Sequence, residues 1–268
     1  MNDLLNSLRI TQTAGTIAAL LGVPGPAAAD ESIRPVLKQA ERVFGGERAD
    51  RILLYNPDAV ALWLYQKYTD TFTDVMVNAT MAIPVLSVMP SVTPVCFASM
   101  YTGVMPEIHG IRRYEKPVLK QETLFDSLIL AGKRVAIVAD DGCSISRIFL
   151  ERDIDYYFFD TIEEINTKAA ELMTEDHYDV IVVYNGNYDS TMHKNGPEAA
   201  ASMDALRANV SAYAGLVDVA RRCWVGRNVV TAFLPDHGCH EIDGGCGSHG
   251  LDMPEDMHII HFYNMMKL

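Results

Sequence analysis

The chain has 268 residues, of which 49% are hydrophobic and 21% are charged, ordinary values for a globular protein with a sizeable core. Its formal charge of −13 and its isoelectric point near 5.0 exclude nucleic acid as a bulk partner, because no excess of Lys and Arg exists to neutralise phosphates. The longest apolar stretch, around residues 16–23, is too short to span a bilayer, so we expect no membrane association.

The cysteines indicate a reducing compartment. There are five of them, an odd number, and the first residues lack the basic flank and apolar run of a secretory signal. We therefore expect a cytoplasmic protein with free thiols. A structural zinc site built from Cys239, His240 and Cys246 is an alternative use of two of them, although the spacing matches no common zinc-finger pattern.

The first 48 residues are predicted to be helical and partly irregular. An apolar helical run at 17–21 is stopped by a Gly/Pro cluster, and an amphipathic helix at 32–44 is closed by Gly45 and Gly46. We expect this segment to act as a lid or buttress rather than as an independent domain. The whole chain, 1–268, is thus predicted to form one catalytic domain.

Beyond residue 50, short apolar runs alternate with helical patterns. Strands are predicted at 51–55, 83–89, 134–139, 180–184, 228–234 and 257–263, and helices at 59–68, 95–102, 123–131, 162–174 and 198–222. Continuous apolar strands such as VAIVA and VIVVY are typical of a sheet that is covered on both faces. The pattern predicts an α/β fold, a three-layer α/β/α sandwich with a mostly parallel central sheet.

Residues with reactive side chains follow the predicted strands. They are Asp58, Thr93, the pair Asp189 and His193, the pair Asp236 and His237, and His249, which precedes the last strand. Open α/β sheets bind ligands at the carboxyl ends of their strands. We therefore expect three carboxylates, three imidazoles and one hydroxyl to meet at one edge of the sheet.

This set of side chains suits a metal-assisted reaction at phosphorus. Carboxylate oxygens and imidazole nitrogens bind Zn²⁺, and Mn²⁺ or Fe²⁺ accept the same ligands. A threonine hydroxyl needs a base or a metal to become a nucleophile, and Thr93, at the start of a helix, lies where an anion is favoured. Three carboxylates and two divalent cations sum to +1, which attracts a phosphate ester, and a cation pair can clamp an in-line displacement.

Each residue also has an ordinary interpretation. Thr93 followed by Pro94 is typical of a helix N-cap, Asp58 could cap the next helix, and Asp189 could be a turn residue. The joint occurrence of all these residues at strand ends favours the metal site over independent structural roles.

The motifs resemble a known family. The run VTPVCFASMYTGVMPEIHGI resembles the nucleophile segment of the alkaline phosphatase superfamily, in particular its type I phosphodiesterase/nucleotide pyrophosphatase branch. Thr93, Thr102–Gly103 and His109–Gly110–Ile111 match the order and spacing of that segment. The later runs DSTMHKNGP, PDHG and GSHG resemble the metal motifs of the family, in which the histidine equivalent to His109 is not a ligand.

The resemblance implies an alkaline phosphatase-like fold and a specific division of the ligands. One cation would be held by Asp189, His193 and His249, and the second by Asp58, Asp236 and His237. Thr93 would attack a small phosphate ester and form a covalent phosphothreonine, which is then hydrolysed. The expected cofactors are two divalent cations, zinc first and manganese or iron as alternatives.

Cys96 departs from the resembled pattern. Nucleotide pyrophosphatases usually carry an asparagine at this position, three residues after the threonine, and we predict Cys96 as a substrate contact in its place. Because a thiol is a weaker donor than an amide, nucleotide preference does not follow from the resemblance.

Other activities on the same site stay open. They are a phosphomonoesterase, a phosphonate hydrolase and a non-catalytic metal-binding homologue, and the oligomeric state is equally open. A phosphomutase is disfavoured because metal-dependent mutases of this superfamily use serine and an additional domain. A sulfatase is disfavoured because VTPVC lacks the Cys/Ser-x-Pro-x-Arg run of those enzymes.

Overall fold

Alternating apolar strands and amphipathic helices build a central sheet with helices on both faces. The computed structural model describes residues 8–268. The strands over that range are β1 Arg51–Pro57, β2 Met81–Leu86, β3 Val135–Asp140, β4 Asp155–Phe159, β5 Val180–Asn185, β6 Asn228–Phe233, β7 His240–Ile242, β8 Cys246–Ser248 and β9 His258–Lys267.

The helices over the same range connect and cover these strands. They are α1 Gln12–Leu20, α2 Arg34–Phe44, α3 Leu62–Lys67, α4 Thr73–Met76, α5 Thr93–Thr102, α6 Pro106–His109, α7 Leu124–Leu130, α8 Ser144–Ile148, α9 Ile162–Glu175, α10 Asn187–Asn195, α11 Ala200–Cys223 and α12 Pro254–Met257, with a 3₁₀ turn at Thr69–Phe72. No helix between residues 8 and 268 is both long and apolar enough to cross a bilayer.

The main sheet has seven strands in the order β2-β9-β6-β1-β5-β3-β4. All neighbouring pairs from β6 to β4 are parallel, whereas β9 is antiparallel to both β2 and β6. Strand β2 therefore runs in the same direction as β6, and β9 is the one reversed strand. The prediction of a mostly parallel sheet is confirmed; β4 and the small hairpin β7–β8 were not predicted.

Two hydrophobic cores lie on opposite faces of this sheet. Ile52 and Leu54 of β1 pack into the core beneath α1, α5 and α7, while Leu53 and Tyr55 pack into the core beneath α9 and α11. Successive side chains of a strand point to opposite faces, so a strand buried on both sides must be apolar throughout. This arrangement confirms the three-layer α/β/α sandwich.

The N-terminal segment packs against the elements that carry the reactive residues. Helix α1 contacts α5 and α7, and α2 contacts β9. The Asp30 amide donates to the Gly103 carbonyl at 2.8 Å, directly after α5, and a Cβ on Gly103 would lie 2.4 Å from Ala29 Cβ. Helix α1 and residues 29–30 thus form a buttress against α5, while α2 packs on the sheet, which supports the proposal of one domain. The predicted segment also includes residues 1–7, which lie outside the described range.

The reversed strand explains how residues distant in sequence reach one edge of the sheet. Asp58 follows β1, Asp189 lies in α10 directly after β5, and Asp236 lies three residues after β6. His249 precedes β9, and since β9 is antiparallel its start lies at the carboxyl edge of the parallel strands. The strand-end argument therefore extends to a residue that comes before its strand.

Candidate active site

Thr93 begins helix α5, but its side chain does not cap that helix. The capping position is Val92, and no side-chain cap hydrogen bond is formed there. Thr93 Oγ1 instead lies 3.3 Å from Asp58 Oδ2 and 3.3 Å from His237 Nε2. The hydroxyl therefore faces acidic and imidazole groups at the positive end of a helix dipole.

The first group of candidate metal ligands is completely buried. Asp58, Asp236 and His237 place their ligand atoms within 4.8 Å of one another. His237 Nε2 lies 3.3 Å from Asp58 Oδ1 and 3.4 Å from Asp236 Oδ2. The Ala59 amide and the Tyr184 hydroxyl hold the other oxygens of these two carboxylates. We call these three residues the buried group.

The second group lies beside the first and is partly exposed. Asp189, His193 and His249 also bring their ligand atoms within 4.8 Å of one another. Asp189 Oδ1 is 3.2 Å from His193 Nε2 and 3.3 Å from His249 Nε2. The His249 ring stacks on His237 with centroids 4.0 Å apart, which places the two groups next to each other. We call these three residues the open group.

Backbone carbonyls fix the orientation of all three imidazoles. Nδ1 of His193, His237 and His249 lies 2.9 Å from the carbonyl oxygen of Gly247, Gly238 and Ser91, respectively. A carbonyl only accepts, so Nδ1 carries the proton and a neutral ring presents a bare Nε2 to the carboxylates. Metal-binding histidines in proteins are oriented in the same way, by an acceptor at the ring nitrogen that does not bind the metal.

The carboxylate oxygens that face these rings have no donor. Among residues 8–268, Asp58 Oδ1, Asp189 Oδ1 and Asp236 Oδ2 are buried without a hydrogen-bond partner. His193 Nε2 and His249 Nε2, both acceptors in the neutral rings, lie only 3.1 Å apart. Lone pairs pointed at one another in a buried site repel unless a cation or a proton lies between them. The donor set therefore fits divalent cations.

The pKa values express the same electrostatic conflict. Burial, followed by the charge of Asp189, raises the pKa of Asp58 to about 7. Burial and the charge of Asp58 raise the pKa of Asp236 well above its ordinary value. In the open group, the contact with Asp189 outweighs burial and raises the pKa of His193 to about 9. A bound cation would remove the need for these protons.

A cleft opens beside Thr93. It has a volume of about 510 Å³ and extends from Thr93, Asp58 and Asp189 to the side chains of Lys116 and Asp160. Lys116 Nζ donates to the Gly142 carbonyl at 2.8 Å and lies 5.4 Å from the centre of the Tyr114 ring. The cleft gives a substrate access to the hydroxyl and room for a group beyond the phosphate.

Cys96 does not contact this cleft. It is fully buried on α5, its Sγ lies 3.3 Å from Ser87 Oγ, and it is not part of the cleft wall. The residue three positions along a helix points about 60° away from Thr93, here into the core. Cys96 is therefore a buried residue outside the cleft wall, and this position does not support its predicted role as a substrate contact.

Sequence reasoning missed several residues around the site. Tyr184 and Lys116 carried no motif that marks them, and neither did Asp140, whose Oδ2 accepts from the Gly186 amide at 3.0 Å. Arg112 and Arg113, which directly follow the run that resembles the nucleophile segment, are exposed and lie outside the cleft wall. Helix signals in DSTMH are weak, and α10 was not predicted.

Two other histidine and cysteine assignments are resolved by contacts. His109 Nε2 lies 2.9 Å from Ser99 Oγ, and its Nδ1 accepts from the Ile111 amide, which makes it a structural residue as expected. The alternative zinc site is not formed, because the candidate metal groups within the described chain are the buried and open groups alone. Cys239 is buried against the Tyr188 hydroxyl instead.

Solved structures share this fold at low sequence identity. Murine ectonucleotide pyrophosphatase/phosphodiesterase 5 superposes with a TM-score of 0.57 and 18% identity, over 72% of this chain and 58% of that chain. Its inactive threonine-to-alanine variant in complex with AMP gives 0.58 and 17%, over 73% and 59%. The human protein gives 0.57 and 15%, over 72% and 58%. The chain thus spans less than two thirds of these proteins.

Sequence comparison identifies the family. No curated protein matches the chain significantly. The type I phosphodiesterase/nucleotide pyrophosphatase family, whose members are hydrolases of phosphoric ester bonds, matches residues 57–260, about three quarters of the chain. That range holds the nucleophile segment, both ligand groups and the cleft. The chain therefore belongs to the type I phosphodiesterase/nucleotide pyrophosphatase family.

Proposed function

We propose that this protein is a metal-dependent phosphodiesterase that attacks phosphorus with Thr93. The observation that carries the proposal is the position of Thr93 Oγ1, which lies 3.3 Å from both Asp58 Oδ2 and His237 Nε2, in a residue that lines an open cleft. Family membership supports it, as does the murine relative whose threonine-to-alanine variant is described as inactive.

Thr93 is the nucleophile in the proposed reaction. Its hydroxyl donates to Asp58 Oδ2, so the proton has an acceptor as Oγ1 forms its bond to phosphorus. The phosphorus–oxygen bond to the alcohol breaks, and that alcohol leaves with a proton. Water then cleaves the phosphothreonine and restores the hydroxyl.

The proposed cofactor is a pair of divalent cations, one for each ligand group. The buried group and the open group would each hold one divalent cation, and the pair would supply positive charge to the phosphoryl oxygens. Zinc is the proposed metal because carboxylate and imidazole are its usual donors, with manganese and iron as the alternatives.

The cleft continues from Thr93 past Lys116 to Asp160 and so accommodates an organic substituent on phosphorus. Monoesters and diesters both carry such a substituent, and family membership supports the diester as the substrate class. The proposed substrate is therefore a small phosphodiester, and a phosphonate or a monoester would use the same nucleophile.

The proposed location is a reducing cytoplasm. All five cysteines are free thiols, and Cys96 and Cys239 are buried as core residues. Free thiols agree with a compartment that does not form disulfides.

The decisive experiment combines metal analysis with turnover of bis(p-nitrophenyl) phosphate. We expect two divalent cations per chain and a loss of turnover of roughly 10³-fold or more in Thr93→Ala, with metal content unchanged. Thr167→Ala, at an exposed position of α9, is the matched control and should keep full activity. Phosphorylated Thr93 should be recovered from an acid-quenched reaction.

The outcomes separate the alternatives. Equal turnover in Thr93→Ala contradicts the nucleophile, and a chain that binds metal without turnover of diester, monoester or phosphonate is a non-catalytic homologue. Reconstitution with zinc, manganese and iron in turn identifies the metal. A panel that includes nucleotide diesters then defines the leaving group.

A further inference from the structure

One buried carboxylate outside both ligand groups joins the two chain segments that carry them. Asp256, in α12, has 0% exposure. Its Oδ1 accepts from His240 Nδ1 at 2.7 Å, and its Oδ2 accepts from the Leu251 amide at 2.8 Å. Its backbone carbonyl accepts from the Gly238 amide, also at 2.8 Å. Every acceptor of the residue is thus used on these two segments.

The two segments begin and end the loop between His237 and His249, and we call them its stems. Between His237 and His249 the chain leaves the site, forms the β7–β8 hairpin and returns. Gly238 and His240 lie one and three residues after His237, and Leu251 lies two residues after His249. The contacts of Asp256 therefore hold the two ends of this loop together, next to His237 of the buried group and His249 of the open group.

Close packing shows that the first stem is fixed against α12. A Cβ built on Gly238 would lie 2.0 Å from the carbonyl oxygen of Glu255, so only glycine permits this approach. The stacked rings of His237 and His249, with an interplanar angle of 30°, depend on the positions of both stems. A shift of either stem would change the separation of the buried and open groups.

We infer that Asp256 is a positioning residue that sets the distance between the two ligand groups and so determines how tightly the second cation binds. The inference rests on the proposed two-metal function. Carboxylates that hold a metal-binding segment without touching the metal change affinity by roughly 10- to 100-fold when they are replaced. The effect here should fall on the pair of sites rather than on either site alone, because Asp256 contacts both stems.

The experiment measures stepwise metal affinity by competition with a chelator. Asp256→Asn should weaken binding of the second Zn²⁺ by roughly 10- to 100-fold. In protein loaded with Mn²⁺, the magnetic coupling between the two ions should change, because that signal depends on their separation. Asp252→Asn, an exposed carboxylate on the same loop, is the matched control and should leave both readouts unchanged.

A second pair of variants keeps the test decisive if Asp256 variants do not fold. His240→Leu removes the donor to Asp256 and should weaken the second cation, while His240→Asn places an amide N–H where Nδ1 was and should restore it. A lower melting temperature with unchanged stepwise affinity and coupling would reduce Asp256 to a structural residue and overturn the inference. If the wild-type chain binds fewer than two cations, the proposed function fails first and the inference with it.

Discussion

The buried and open groups use the same ligand types in very different surroundings. In the buried group the side chains of Asp58, Asp236 and His237 are at most 2% exposed. In the open group the side chain of His193 is 41% exposed and that of Asp189 is 18% exposed. The buried group has two carboxylates and one imidazole, and the open group has one carboxylate and two imidazoles. The buried group therefore needs a cation more strongly, because it holds more negative charge and because desolvation penalises the charges that water cannot reach.

The pKa shifts show the direction of that difference. Burial is the main cause that raises the pKa of Asp58 and Asp236, so the buried group resists ionisation of its carboxylates. In the open group the contact with Asp189 raises the pKa of His193, so a proton on an imidazole offsets the carboxylate there. A proton can thus substitute for a cation in the open group with less disruption than in the buried group.

Removal of metal should produce the largest effect and should occur in two steps. A chelator is expected to abolish turnover completely, with the cation of the open group leaving first because His193 faces solvent. The measurement follows metal content and activity against time of chelation. A single step that removes both cations together, or first loss from the buried group, would contradict the comparison.

Replacing one carboxylate in each group should change the stability of metal-depleted protein in opposite directions. Burial and the charge of Asp58 raise the pKa of Asp236, so this carboxyl group costs stability at neutral pH, and Asp236→Asn should stabilise the metal-depleted protein. The net pKa of Asp189 is lowered because contacts with His193 and His249 outweigh burial, so Asp189→Asn should destabilise.

Both carboxylate variants should lose one cation and most of their activity. Urea unfolding of metal-depleted protein and metal analysis of loaded protein measure the two effects separately. Full metal content in Asp236→Asn would show that this residue is not a ligand, and equal signs of the two stability changes would remove the contrast between the groups.

Substitution of Tyr184 should have a smaller effect, which is confined to the buried group. Its hydroxyl donates to Asp58 Oδ2. Tyr184→Phe should weaken metal binding at the buried group by roughly 10-fold and leave the open group unchanged. This is the smaller of the losses in metal affinity that follow when a residue that hydrogen-bonds to a metal ligand is replaced. Tyr65→Phe, a partly buried tyrosine packed edge-on to Phe72, is the matched control. Equal weakening at both groups would indicate a general loss of packing instead.

Substitution of His109 should have the smallest effect, a change in how the unfolding free energy depends on pH. Because His109 lies outside both groups, it serves as a reference. Burial lowers its pKa to about 4 from an ordinary 6.5, so the folded chain keeps the ring neutral. Its contribution to stability is complete above pH 6.5 and is lost as the pH falls towards 4, since the unfolded chain binds the proton more readily. The unfolding free energy of His109→Gln should therefore depend less steeply on pH across that window.

Urea unfolding at several pH values between 4 and 7 measures this slope. His177→Gln, at an exposed position, is the control and should keep the wild-type slope. An unchanged slope in His109→Gln would mean that this ring is protonated in the folded chain. That result would contradict the hydrogen bond in which His109 Nδ1 accepts from the Ile111 amide.

The sequence determined the fold class and the residues that meet at the sheet edge. A doubly covered parallel sheet requires continuous apolar strands, and such strands end at a shared edge, so their positions place Asp58, Asp189 and Asp236 near one another. The family came separately, from the resemblance of the motifs around Thr93 and His249 to those of a known family. These are inferences from periodicity and chain order, which a sequence records directly.

Only the tertiary structure decided where individual side chains point and what lies around them. The carbonyls that orient the imidazoles, the direction of Cys96 into the core and the hydroxyl of Tyr184 at Asp58 all join residues distant in sequence. Asp256 lies between two stems that meet only after the hairpin has folded back. Such contacts depend on the packing of several elements at once, and no local pattern of residues encodes them.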